Sequence, residues 1–550
     1  MPDGVRTLVL GFDALDDRYL DRFEDVTPTL SRLRAEGVSA PLDSTHPPWT
    51  ASAWPSMYTG TDPSHHGVYG FFTYDYPDDG RLVTRNDVDA PALWNYLSER
   101  GVRSTVLNVP VTHPAEPIEG ALIPGYLGGE ADAGHPEGIR DDLSAAIGEE
   151  YRIYSAGEVA EDSDEKLQGY LDLIDARKRA AVELLSDREW ELAVVQVQKT
   201  DAVFHNFDDE AAFRAVYEAA DDLAAATIDA VDGPVNVVVC SDHGMGRKEG
   251  YQIQLNDVLR RAGYVEATSD TGTVSIGAEK RRLMGAGEGT GAGTDEGDDS
   301  SSLLTGGVSA VEGALSRVGV TPGRVYALAA AVGIEDLLVD VIPDEVRQSA
   351  GEGVDWRASR AYCRSSSHLG VRINLEGREP SGTVPQAEYE QVRDDLISLL
   401  TDLETPDGEP AFESVLPREA VYDGPYVEDA PDVIVYPRNA DHVLSTNLYG
   451  REFVPADVHD HDPTGVFIGH GPGFDHAATP DRLSLTDVAP TVMALLGHPV
   501  PQRMTGTAPR DALSVPTERA DYGDVPFGTD RAVEDAREEV TDSLADLGYI

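Results

Sequence analysis

Short apolar runs recur along this chain with helical stretches between them, and the runs end on residues that can do chemistry. Thr7–Phe12 leads into Asp13. Glu191–Val197 is followed by Lys199-Thr200-Asp201 and, four residues on, His205. Val235–Cys240 ends on Ser241-Asp242-His243-Gly244. Continuous apolar strands alternating with amphipathic helices are the pattern of βαβ units, whose parallel sheet is covered on both faces. Helices predicted over Thr27–Glu36, Pro91–Arg100, Leu167–Leu185 and Val216–Val231 fill the intervals, with a further strand at Arg103–Val109. In open sheets of this kind ligands bind outside the carboxyl ends of the strands, and that is where these acids and histidines fall.

The predicted fold class is therefore α/β, an α/β/α sandwich with a mostly parallel central sheet and a small helical cap insertion. Residues 1–265 form the first part of the core. Residues 266–305 are a low-complexity, mobile segment rich in Gly, Asp and Ser, too poor in apolar surface to offset chain entropy. Helical periodicity returns over 306–355, the cap. The sheet pattern is expected to resume at Arg360–Cys363, Gly370–Asn374, Asp432–Tyr436 and Gly465–Ile468, giving a second part of the core over 356–505 with a helix at Leu485–Leu496. An acidic extension, 506–550, closes the chain.

Composition limits the partners. The 550 residues carry 99 acidic and 43 basic side chains, a formal charge of -56. With 41% hydrophobic residues in periodic segments the chain can build a core, so the acid excess reads as adaptation to salt, as in a halophilic archaeon. In molar salt the Debye length falls to about 3 Å and the self-repulsion is screened. With no basic patch, duplex nucleic acid is excluded as a partner. No apolar stretch approaches the roughly 20 residues of a membrane span. Met1 leads straight into the first strand with no basic, apolar leader, so a cytoplasmic location is expected. Cys240 and Cys363, both in apolar contexts, are expected to be buried thiols.

Taken singly, each polar residue has a structural reading. Asp13 can cap the next helix, and Thr50, in Pro47-Pro48-Trp49-Thr50-Ala51-Ser52, can cap the helix it opens. Asp201 and His205 can be a solvent-facing pair. His461, in His459-Asp460-His461-Asp462-Pro463, can belong to a polar turn. Taken together they are three carboxylates, three imidazoles and a hydroxyl near strand ends. Asp201 and His205, at i and i+4, share one helix face and suit one ion. Nitrogen and carboxylate donors are those that Zn²⁺ or Mn²⁺ accepts. A two-metal phosphoryl-transfer site accounts for the set, with a small-molecule phosphoric ester as the substrate.

These residues resemble the alkaline phosphatase superfamily, and within it the type I phosphodiesterase/nucleotide pyrophosphatase family. The most specific stretch is Pro47-Pro-Trp-Thr-Ala-Ser-Ala-Trp-Pro-Ser-Met-Tyr-Thr-Gly-Thr-Asp-Pro-Ser-His-His-Gly67. The resemblance implies an alkaline-phosphatase-like fold and makes Thr50 the nucleophile, passing through a phospho-threonine intermediate. It implies that Asp13, Asp242 and His243 hold one divalent ion with the Thr50 oxygen, and that Asp201, His205 and His461 hold the other. Zinc is the first expectation and manganese the second. His461 is preferred over His470 because the family's histidine precedes a strand.

Lys199 is the nearest motif-linked cation and a candidate substrate contact, and a distant arginine such as Arg364 is the other. Two divalent ions against three carboxylates leave roughly one positive charge, which suits a diester monoanion better than a monoester dianion. The alternatives are a phosphomonoesterase, a phosphoglycerate-mutase-like isomerase and a non-catalytic, metal-stabilised binding protein. A sulfatase would need Cys or Ser in place of Thr50.

Overall fold

The computed structural model describes residues 5–74, 80–160, 162–268 and 353–529. Its largest element is an eight-stranded sheet built from β1 (Arg6–Phe12), β2 (Val38–Asp43), β3 (Ser104–Val109), β4 (Gly120–Pro124), β5 (Leu192–Val197), β6 (Val235–Cys240), β7 (Thr464–His470) and β8 (Leu483–Ser484), in the order β8–β2–β7–β6–β1–β5–β3–β4. Five of the neighbouring pairs are parallel, while β7 runs antiparallel to both β2 and β6. The fold is mixed α/β with a large, mostly parallel central sheet.

The sheet is buried on both faces, and the alternation along β1 shows how. Leu8, Leu10 and Phe12 point into one core, with side chains of α1 (Pro28–Glu36), α3 (Ser163–Asp187), α4 (Lys199–Asn206) and α5 (Glu210–Asp229). Val9 points into the other, with Trp54 and Met57 of α2 (Thr50–Thr59) and Val492 of α6 (Val488–Leu495). Each large apolar side chain buried this way contributes about 1.5–3 kcal/mol against chain entropy. Helix α3 starts four residues before the expected Leu167, because the Asp162 side chain accepts from the Glu165 N–H and caps an earlier turn.

Two expectations are corrected. Ala361–Tyr362, Gly370–Ile373 and Val433–Pro437 do not rejoin the central sheet. With Phe412–Pro417 they make a separate four-stranded antiparallel sheet, packed on the helix Tyr389–Thr401 around Val371, Ile373, Val433, Leu396 and Leu400. Periodicity identifies a strand without identifying its partner, and of the four expected strands only Thr464–His470 returns to the main sheet. His461 lies not in a turn but in the strand Val458–Asp462, antiparallel to Gly244–Lys248, with His461 opposite Met245. The local run is too polar to read as a strand.

The expected low-complexity segment and helical cap lie almost wholly outside the described residues; on either side of that interval Ala267 pairs with Val354 and Thr268 with Gly353. The second sheet docks on the segment around Thr50. The Tyr422 hydroxyl donates to the His46 carbonyl at 2.7 Å, Gly424 N donates to Ser64 Oγ at 2.9 Å, and the His46 and Tyr436 rings lie 4.3 Å apart. Cys240 and Cys363 are both unpaired and buried.

Candidate metal centre

The carboxyl ends of β1, β5 and β6 deliver three acids to one place. Asp13 follows β1 directly, and its N–H extends the parallel ladder to the Val197 carbonyl at 2.9 Å. Its Oδ1 lies 3.3 Å from Thr50 Oγ1, while Oδ2 accepts from Trp54 Nε1 at 3.3 Å and Gln196 Nε2 at 3.2 Å. Gly11 makes this possible, because a Cβ there would overlap the Trp54 ring. Thr50 is the first residue of α2, so its hydroxyl stands at a helix N-terminus, which favours an anion.

Asp242 and His243 leave β6 together, both fully buried. Asp242 Oδ1 accepts from the Ala14 N–H at 3.2 Å, but Oδ2 has no hydrogen-bond partner. His243 Nδ1 faces the Gly244 carbonyl at 3.0 Å and must donate to it, which leaves the Nε2 lone pair exposed to the cluster. That Nε2 lies 3.2 Å from Asp242 Oδ2 and 3.5 Å from Asp13 Oδ1 without bonding either. Gly244 is needed at the next position because a Cβ would strike the Thr464 carbonyl and Asp16.

The second group comes from α4 and the strand Val458–Asp462. Asp201 Oδ1 lies 3.1 Å from His205 Nε2 and 3.5 Å from His461 Nε2, and the two imidazole nitrogens are 3.2 Å apart. His461 Nδ1 donates to the Pro48 carbonyl at 2.9 Å, so its Nε2 also presents a lone pair. The His461 ring stacks on His243 at 3.8 Å and packs on Trp49 at 4.2 Å, tying the two groups together.

Titration behaviour follows from this crowding. Burial first, then Asp242 and Asp201, raises the Asp13 carboxyl well above its ordinary range. Burial pushes Asp242 up to about 7. His243 is held well down by burial and by His461. Burial alone would raise Asp201, but the His205 and His461 imidazoles outweigh it and hold it well below the carboxylate range. The charges acting most strongly on Asp13, Asp242 and His243 are acids and histidines of the same cluster, with no arginine or lysine among them.

Divalent cations fit this donor set. Around zinc with bonds of about 2.0–2.1 Å, tetrahedral donors stand about 3.3–3.4 Å apart. The spacings within both groups, 3.1 to 3.5 Å, match that edge. The bare Asp242 Oδ2 and His243 Nε2 are buried polar atoms that a cation would satisfy.

The seven residues singled out from the sequence thus stand in one cluster. Three other singled-out residues stand elsewhere. Lys199 is buried and directs its ammonium to the Glu158 carboxylate and to Gln198 Oε1 at 2.9 Å. Arg364 lies over the rings of Trp356 and Tyr74, and His470 sits beside Glu36 and His476, away from the cluster. Sequence reasoning missed Gln196, Trp54 and Asp460. Gln196 carried a signal, being the one polar residue inside the run Val194-Val195-Gln196-Val197. Asp460 adds a carboxylate beside His205 and His461.

Acids and imidazoles gathered at the carboxyl ends of a mostly parallel sheet are the donor groups that a metal-dependent hydrolase of the α/β class would use. The chain belongs to the type I phosphodiesterase / nucleotide pyrophosphatase family, whose profile matches residues 7–292, and it is a phosphoric ester hydrolase. The family is metal-dependent in general. The match ends before the strand that carries His461, so the profile itself does not reach that residue.

Two solved structures of phosphonoacetate hydrolase from Sinorhizobium meliloti 1021 are similar in fold. The complex with phosphonoformate has a TM-score of 0.55 at 15% identity, and the complex with phosphonoacetate 0.54 at 14%. Each comparison covers 90% of this chain and 95% of the other. No curated protein matches the sequence. Among the described residues no helix is long and apolar enough to cross a membrane.

Proposed function

We propose that the protein hydrolyses phosphoric diesters at a two-metal centre, with Thr50 as the nucleophile. The observation that carries this reading is the spacing of the donor atoms, two groups at coordination distance joined by the His243–His461 stack. Asp13, Asp242, His243 and Thr50 would hold one cation and Asp201, His205 and His461 the other. Zinc suits the mixed carboxylate–imidazole set, with manganese second. When bound, two such ions neutralise the clustered carboxylates and draw charge from the attacking and departing oxygens.

The chain's own residues do the rest. Asp13 accepts from the Thr50 hydroxyl and aims its oxygen, while Trp54 and Gln196 hold Asp13 in turn. Thr50 Oγ1 attacks phosphorus, the ester alcohol leaves with a proton, and a phosphothreonine remains. Water then cleaves the phosphothreonine, restoring the hydroxyl and releasing the phosphorylated product. The buried His243 and the partly buried His461 keep their Nε2 lone pairs inward through the bonds at Nδ1.

Substrate charge supports a diester. The ligand carboxylates of Asp13, Asp201 and Asp242 against two divalent ions leave roughly one positive charge, which Asp460 lowers further, and no arginine or lysine is among the strongest charges on Asp13, Asp242 or His243. A monoester or phosphonate dianion, such as the ligand of the phosphonoacetate hydrolase complex, would want a further cation. The net charge of -56 supports a high-salt cytoplasm as the working environment.

The test is turnover of bis-p-nitrophenyl phosphate against p-nitrophenyl phosphate in high salt with Zn²⁺ or Mn²⁺. The diester is expected to be preferred, and Thr50→Ala to abolish turnover with the metals still bound. Equal rates for wild type and Thr50→Ala would refute the nucleophile.

A further inference from the structure

Tyr126 emerges at the same end of the sheet as the metal centre. In the register Thr7↔Leu192, Ser104↔Leu192 and Ser104↔Gly120, the ends of β1, β5, β3 and β4 line up, and Tyr126 follows β4 by two residues. Two strand spacings, ~10 Å, separate β4 from β5, a gap that a tyrosine side chain and a bound phosphoryl group would span together. Its ring is partly exposed and packs on the core that contains Trp54, the partner of Asp13.

The backbone around Tyr126 is held firmly. Its carbonyl accepts from Val111 N at 3.3 Å, and the next N–H, on Leu127, donates to the Tyr154 hydroxyl at 3.1 Å. The Tyr126 and Tyr154 rings meet edge to face at 6.4 Å. Val111 and Leu127 are both in the left-handed region, at φ 58° and 67°. For a β-branched valine that conformation is costly and persists only where surroundings enforce it.

The Tyr126 hydroxyl itself makes no hydrogen bond among the described residues. Burial first, then the carboxylates of Asp201, Asp13 and Glu158, raises the phenol above its ordinary range, in which it is already neutral at pH 7. A neutral O–H beside the centre can therefore donate and adds no charge. Resting on the diester reading above, we infer that the Tyr126 hydroxyl is a substrate contact that donates a hydrogen bond to a non-bridging phosphoryl oxygen. It takes the place that a cation would hold for a dianion, and so favours monoanionic esters.

Tyr126→Phe removes only the hydroxyl. The metal-loaded protein is compared with wild type by titration calorimetry with inorganic phosphate and by kinetics with bis-p-nitrophenyl phosphate. The expected result is phosphate binding weakened severalfold and kcat/KM lowered about tenfold or more, at unchanged metal content and Tm. Tyr154→Phe, which loosens the loop but keeps the Tyr126 hydroxyl, is expected to lower Tm. If wild type hydrolyses no ester yet binds phosphate more tightly than Tyr126→Phe, the contact stands and the hydrolase reading falls. If wild type is active and Tyr126→Phe matches it in affinity and kcat/KM, the contact is refuted.

Discussion

His205 Nε2 and His461 Nε2 lie 3.2 Å apart although 256 residues separate them in the chain. One comes from a helix after β5, the other from a strand paired to Gly244–Lys248, and Asp201 stands within 3.5 Å of both. Two imidazole nitrogens and a carboxylate at that spacing match the donor set of one divalent cation.

His461→Ala is therefore expected to lower the metal content from two ions per chain to one, by elemental analysis after dialysis. Loss of a ligand is expected to cost at least about a hundredfold in kcat/KM, since even outer partners of ligands cost 10–100-fold. Two ions retained at wild-type affinity would remove His461 from the centre.

Asp242→Asn separates stability from activity. Without metal, burial and the neighbouring acids raise the Asp13 and Asp242 carboxyls, so each costs stability near neutral pH, and replacing one acid by an amide recovers about 1–3 kcal/mol. The variant is expected to melt higher than wild type in chelator, to gain less from added Zn²⁺, and to be inactive. A lower Tm in chelator would contradict the charge argument.

The supports of Asp13 give a graded effect. Gln196→Leu is expected to lower metal affinity or kcat/KM about 10–100-fold while the strand stays folded. Gly11→Ala forces a Cβ into the Trp54 ring and is expected to cost about 1–3 kcal/mol as an overpacked core. A Gly11→Ala protein as stable and active as wild type would show that the Trp54 contact is dispensable.

The charge of -56 predicts salt-dependent stability. Between 0.1 M and 1 M salt the Debye length shortens from about 10 Å to about 3 Å, so Tm is expected to rise steadily with KCl. A Tm flat across that range would mean that the acidic surface is not a stability term.

The strands expected at Thr7–Phe12, Arg103–Val109, Glu191–Val197 and Val235–Cys240 were legible because strands buried on both faces are continuous apolar runs that need no partner to be seen. The placement of Asp13, Asp201 and Asp242 at strand ends follows from the same runs. The strand Val38–Asp43 was not legible, since Pro41 and alternating exposure blur it. His461 looked like loop because Val-His-Asp-His-Asp has no apolar alternation; its strand exists through pairing with residues 244–248. The second sheet was misplaced because Gly370–Ile373 and Val433–Pro437 read as buried strands wherever they pair. Glu158, which folding brings to Lys199, carries no local mark at all.

The most direct test of Thr50 as nucleophile is the stereochemical outcome at phosphorus, using a diester made chiral with sulfur and oxygen isotopes. Attack by Thr50 followed by water gives two in-line displacements, so the account predicts overall retention of configuration. Overall inversion would mean a single displacement by water and would contradict the phosphothreonine intermediate.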